Sequence, residues 1–306
     1  MNVIELPEDK RLALANLKSA TQRIEDAESA RYSPDELQEL GGMLPLVFEA
    51  ALPHFVAGRE RNPIHHHTQV LDNMVRIGLV ECPSYREFRN AVLLALLHDV
   101  GNAVSRRPKF KTDEVIAALE EDIHEGTVVA LKAIAFRLEH MDHGPALARD
   151  VLAPFVSGGK LGDDDVHFIG RAIAVHDYPS IEKVLKELAD KTQISTGYEP
   201  GDFLLPFESS PFGRLIEWLR EADRLFMLTE QGVLKDLRDD DEDATASNIL
   251  IRLDSNANKH VEEFELYRRV DRAEGFRENT LYRTLTGYNL FIEYPESVRA
   301  KWEKHS

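Results

Sequence analysis

The run Leu93-Leu94-Ala95-Leu96-Leu97-His98-Asp99-Val100-Gly101 carries five consecutive apolar residues into an imidazole and a carboxylate. It reads as the end of a buried helix over 86–99, with Gly101 as its C-cap. A histidine and a carboxylate beside such a block are costly to bury unless something pairs with them. The bland alternative is a helix end with both side chains in solvent. The other is a pair of adjacent metal ligands, since neutral imidazole and carboxylate both suit borderline or hard divalent ions.

Working outward, helical periodicity dominates the whole chain. A polar amphipathic segment covers 9–30, and Ser33-Pro34-Asp35-Glu36 supplies an N-cap, a proline at the first helical position and acids in the first turn. Further helices are expected over 66–80, 113–122, 126–139, 145–155, 164–176, 181–190, 211–230, 245–253 and 258–270. Alternating strand patterns are nearly absent. The fold class expected is therefore all-α, with an N-terminal helical extension (1–45), a main domain (46–235) and a C-terminal helical extension (236–306). Residues 191–210 form the longest unpatterned stretch, and Asp239 to Asp243 reads as a solvated acidic turn.

Composition narrows the function. Of 306 residues, 54 are acidic and 37 basic, a net charge of −17, which argues against a protein that grips a nucleic-acid backbone. The single cysteine, Cys82, excludes an internal disulfide framework and any cysteine-based zinc site, and fits a reducing cytoplasm. No basic, apolar leader is read at the N-terminus, and no apolar run approaches the ~20 residues that span a bilayer. A cytoplasmic protein without a membrane partner is the expectation.

Nine of the twelve histidines fall within 65–176. In His65-His66-His67, counting from His66 puts Val70, Leu71, Met74 and Ile77 on one helical stripe; counting from His67 draws Asp72 into it, so His66 is preferred and His67 held as the fallback. His140 lies just ahead of Gly144-Pro145, where Pro145 is read as a helix start. His176 ends an apolar helix as His98 does. Asp223 sits between Ala222 and Leu225-Phe226; from that helix alone a salt bridge to Arg220 or Arg224 is the better reading, with a metal as the other.

In this order, His66, His98-Asp99, His140, His176 and Asp223 resemble the pattern of the HD-domain superfamily of metal-dependent phosphohydrolases, over roughly residues 60–230. The resemblance implies an HD-domain-like helical bundle in which His66, His98, Asp99 and Asp223 hold one divalent transition metal. It further implies that His140 and His176 help hold a second, with Asp99 bridging and His143 as fallback for the third motif. Iron, manganese, zinc, cobalt and nickel all suit such ligands, and one ion or two are allowed. Asp99 and His143 are the candidate catalytic residues, His143 (or His124) as proton donor to the leaving oxygen. Glu221, Asp142 and Asp177 are near enough in sequence to support the ligand histidines. Many family members carry lysine three residues after the doublet aspartate, where this chain has Asn102. The basic segment that follows, with Arg106, Arg107 and Lys109, is the candidate phosphate clamp, an exposed solubility loop being the equal alternative. The expected activity is hydrolysis of a small phosphate ester, nucleotides included, by metal-activated water. A mixed-valent di-iron oxygenase and a non-catalytic metabolite-sensing module are the other readings. A small phosphorylated molecule is the expected partner, and a homo-oligomer is allowed.

Overall fold

The computed structural model describes residues 6–28, 31–104, 125–178, 181, 211–269 and 273–305. Among them the chain is all-α: ten helices, two short 3-10 turns and no strand. The helices are α1 (Leu6–Glu25), α2 (Pro34–Gly58), α3 (Ile64–Glu81), α4 (Tyr85–Leu97), α5 (Glu125–Ser157), α6 (Asp163–Ile173), α7 (Pro211–Phe226), α8 (Glu230–Asp239), α9 (Ala246–Arg269) and α10 (Leu285–Trp302). A 3-10 turn, Val100–Ala103, follows α4. The helices expected over 113–122 and 181–190, and the stretch 191–210, lie outside the described residues apart from Ile181.

Helix α4 is the hub. Every residue from Ala91 to Leu97 is buried, so this helix is surrounded on all sides, as its unbroken apolar run demands. It packs on α3, α6 and α7, and α3 in turn packs on α1 and α7. The start of α3 is fixed by a residue of α1. Pro63 offers no side-chain cap, and the Asp9 carboxylate accepts from the backbone N–H groups of Ile64 and His65, both at 2.9 Å. An acid at the positive end of a helix is the favoured charge there. At α2 the expected N-cap is present as a full capping box, with Ser33 and Glu36 exchanging hydrogen bonds.

Three expectations need correction. The first is the break at Pro145, because α5 runs through it. Proline removes one intrahelical bond, but Met141, Ala148, Val151, Leu152 and Phe155 on either side are buried, and tertiary packing outweighs that loss. Likewise 245–253 and 258–270 join in one helix, α9, and α10 had no expected counterpart. Second, α2 is long and apolar enough to cross a membrane. The structure spends that apolarity on the core, where Leu40, Leu44, Val47, Phe48 and Phe55 are buried. Pro45, at the edge of the expected N-terminal extension, lies inside this continuous helix. Third, Gly101 is no C-cap. Helix α4 ends at Leu97, and Gly101 lies in the 3-10 turn where a Cβ would stand 1.9 Å from the His140 carbonyl oxygen. Glycine is required there because the turn rests directly on the backbone of α5.

Candidate metal centre

The three consecutive histidines at the start of α3 point to three different neighbours. His65 Nδ1 lies 2.7 Å from Asp9 Oδ1 and belongs to the helix start. His67 stacks on Phe55 with ring centroids 4.0 Å apart, and burial holds its pKa well below the ordinary histidine value. Of the three, His66, the one the stripe count preferred, joins His98 and Asp223 in a group of side chains that could hold a metal ion.

His98 caps α4 in helical geometry, and Asp99 takes φ −103° and ψ 14°, near the sparsely populated bridge region where many active-site residues are found. Two groups of side chains form here, each able to hold a metal ion: His66, His98 and Asp223 in one, Asp99, His140 and His176 in the other. Asp99 faces both. Its Oδ2 lies 3.5 Å from His66 Nε2 and 3.4 Å from His98 Nε2, while its Oδ1 lies 3.4 Å from His140 Nε2 and 3.3 Å from His176 Nε2. Asp223 Oδ1 completes the first group at 3.4 Å from His66 Nε2 and 3.7 Å from His98 Nε2.

The orientation of two rings is set by backbone. His98 Nδ1 is 2.8 Å from the Ala95 carbonyl and His176 Nδ1 2.8 Å from the Ile173 carbonyl. A carbonyl only accepts, so each Nδ1 carries a proton and Nε2 is the nitrogen turned to the cluster. His66 and His98 Nε2 are 3.3 Å apart, and His140 and His176 Nε2 are 3.4 Å apart. Imidazole nitrogens at such separations share a proton or a cation. The charge balance points the same way. Burial alone would lower His98, but Asp99 and Asp223 outweigh it and hold the imidazole up at about 9. Burial would raise Asp99 and Asp223, yet the surrounding histidines keep both carboxyls below their ordinary value. The cluster calls for positive charge, and a divalent ion fits its nitrogen and oxygen donors.

Asn62 Nδ2 donates a short hydrogen bond to Asp99 Oδ2, orienting the carboxylate between the two groups. Asn73, fully buried on α3, donates to the Ala222 carbonyl at 2.8 Å and accepts from Tyr294 Oη at 2.6 Å, which ties the Asp223 turn of α7 to α3 and α10. The salt bridge expected for Asp223 gives way to the histidines. Arg224 grips Glu263 with Nε at 2.8 Å and Nη2 at 3.3 Å, and Arg220 lies over the Tyr267 ring and 4.0 Å from Glu217.

Of the expected supporting acids, Asp177 is beside the cluster: its Oδ2 is 4.0 Å from His140 Nε2 and it binds Arg137 closely. Glu221 is committed elsewhere, accepting from the Arg283 and Thr284 backbone N–H groups and the Thr284 hydroxyl. Asp142 is exposed, as is His143, which belongs to neither group. Arg106, Arg107, Lys109 and His124 lie outside the described residues.

The cluster opens into a cleft of about 300 Å³. His66, Asp99, His140 and Asp223 line its floor, and Arg61, Asn62, Asn102, Arg137, Asp177, Arg224, Phe226, Met227, Lys235 and Asp236 line the rest. Four basic side chains share the cleft with four aspartates. Sequence reasoning missed Arg61, Asn62, Arg137 and Lys235 as cleft residues. For Asp177 a signal existed, because His176-Asp177 is a second His-Asp doublet at the end of an apolar helix. The arrangement is compatible with an HD-like site. Comparison with known proteins returns no match: no family model, no curated protein and no solved structure is similar to this chain.

Proposed function

We propose that this chain is a metal-dependent phosphohydrolase of the HD-domain type, acting on a small phosphate ester. The observation that carries the reading is the bridging position of Asp99, one carboxylate oxygen turned to each of two histidine pairs, at the floor of a cleft with four basic side chains. His66, His98, Asp99 and Asp223 would hold one ion, and Asp99, His140 and His176 a second. When bound, divalent ions supply an acidified water nucleophile and positive charge for the phosphoryl oxygens.

The protein's own work is to position and to exclude. Backbone carbonyls of Ala95 and Ile173 hold Nδ1–H of His98 and His176, so each ring keeps Nε2 turned to the site. Asn62 holds Asp99 in its bridging orientation. The ring of Phe226, edge-on to His66 at 4.6 Å, shields one wall from water, and Met227 gives the organic part of a substrate an apolar contact. Phosphoryl transfer leaves little covalent chemistry to side chains, so a site built from positioning and charge suits it.

The test is release of inorganic phosphate from a panel of phosphomonoesters and nucleotides by protein reconstituted in turn with manganese, iron, zinc, cobalt and nickel. Metal-dependent release that disappears in His98→Ala supports the reading. No release from any ester with any of the five metals sinks it.

A further inference from the structure

Two of the cleft's cations are arginines held by carboxylates. Arg137 sits one helical turn ahead of His140 on α5, and Arg224 directly follows Asp223 on α7, so each is carried by the same helix as a residue of the cluster. Both reach the cleft wall. Each is anchored by a carboxylate: Arg137 by Asp177, and Arg224 by Glu263, a largely buried acid of α9 outside the cleft. Their side chains are 31% and 19% exposed. The charge of Arg224 reaches both Asp223 and Asp177, and Asp177 lies under the charge of both arginines. Two guanidinium groups therefore converge on the mouth of one cluster.

A guanidinium has five N–H donors in a planar fork, enough to keep a carboxylate on one edge and serve anionic oxygens on another. Anchoring removes most of the entropy that a long side chain would lose on binding a ligand. We propose that Arg137 and Arg224 form the anion clamp of this cleft, binding the oxygens of the phosphoryl group, with Glu263 as the positioning residue of Arg224. The inference rests on the phosphohydrolase reading for the identity of the anion, and it places a clamp on α5 and α7, the 106–109 segment lying outside the described residues. Lysine in place of either arginine keeps the charge and loses the fork.

Calorimetric titration of metal-loaded protein with inorganic phosphate tests it, with bound metal and thermal stability measured on every sample. Arg137→Gln and Arg224→Gln are expected to weaken phosphate binding roughly 10- to 100-fold each at unchanged metal content, with Arg224→Lys in between. Glu263→Gln leaves Arg224 in place and is expected to weaken binding severalfold; a merely structural Glu263 would lower the melting temperature and leave phosphate affinity alone. Asp165→Asn, a buried acid outside the cleft, is expected to leave affinity unchanged. Equal phosphate affinity in all variants, or no phosphate binding by the wild type at millimolar concentration, overturns the clamp. Arginine-dependent phosphate binding without hydrolysis of any ester keeps the clamp and removes the hydrolase, so the two failures are separable.

Discussion

Helix α4 has buried charge chemistry at both ends, and the two ends are built in opposite ways. At its N-terminal end, Asp165 of α6 is met by donors only: Arg86 at 2.6 Å, Arg89 at 2.7 Å, Asn90 at 3.1 Å and the Gly162 N–H at 3.1 Å. That carboxylate is satisfied by the protein itself. At the C-terminal end, Asp99 is met by Asn62 and four imidazole nitrogens, two of them on rings held through Nδ1 by backbone carbonyls. The first end is closed and ties α4 to α6. The second is open to the cleft, and its His and Asp side chains could hold a metal ion. Both acids have little exposed surface, 4% and 7%, and they differ in the neighbours that meet them.

The sharpest way to break this contrast is Asp99→Asn, which preserves size and removes the bridging charge. Loss of metal by elemental analysis and a drop in ester hydrolysis of about a thousandfold or more are expected, since several kcal/mol of charge stabilisation goes with the ion. The same change at the other end, Asp165→Asn, is expected to leave metal content intact and to cost about 1–3 kcal/mol of stability at pH 7, read from urea midpoints. Burial would raise the Asp165 carboxyl, but Arg86, Asn90, the Gly162 N–H and Arg89 overcome it and depress the folded value below the unfolded one. Its contribution is therefore present at neutral pH and is lost as pH falls through the folded value. The gap between wild type and Asp165→Asn should shrink as pH falls below the usual aspartate value.

Asn62→Ala removes the amide that donates to Asp99. A loss of about 10- to 100-fold in metal affinity is expected, with the fold unchanged, the scale on which partners of metal ligands act. The smallest effect is reserved for His143→Ala. This imidazole is exposed on α5 and outside both groups, so stability should change by less than about 0.5 kcal/mol and metal content not at all. Hydrolysis assays on the same variant decide whether it delivers a proton, as its sequence position suggested.

Much of this was legible one helix at a time. The stripe of Val70, Leu71, Met74 and Ile77 pointed to His66, and the apolar run before His98-Asp99 pointed to a core helix, because both signals are local periodicities. Ser33 announced the start of α2 for the same reason. What stayed hidden depends on distant partners. Nothing near Pro145 tells that packing on both sides carries α5 through it. Nothing near Arg137 or Arg224 tells that Asp177 and Glu263, some 40 residues away, anchor them. Asp223 was read toward its own arginines because those are its neighbours in sequence, whereas its neighbours in space lie on α3 and α4. Asn62 had no periodic signal at all, since it precedes α3 and acts through one side-chain amide.

The central claim is that Asp99 joins two cation positions. Anomalous difference maps from crystals grown with manganese or zinc, collected at the matching absorption edge, test it most directly. Peaks on both sides of the Asp99 carboxylate are expected, one among His66, His98 and Asp223 and one among His140 and His176. A map with no peak in contact with Asp99, or with metal held only by residues elsewhere on the chain, would contradict it.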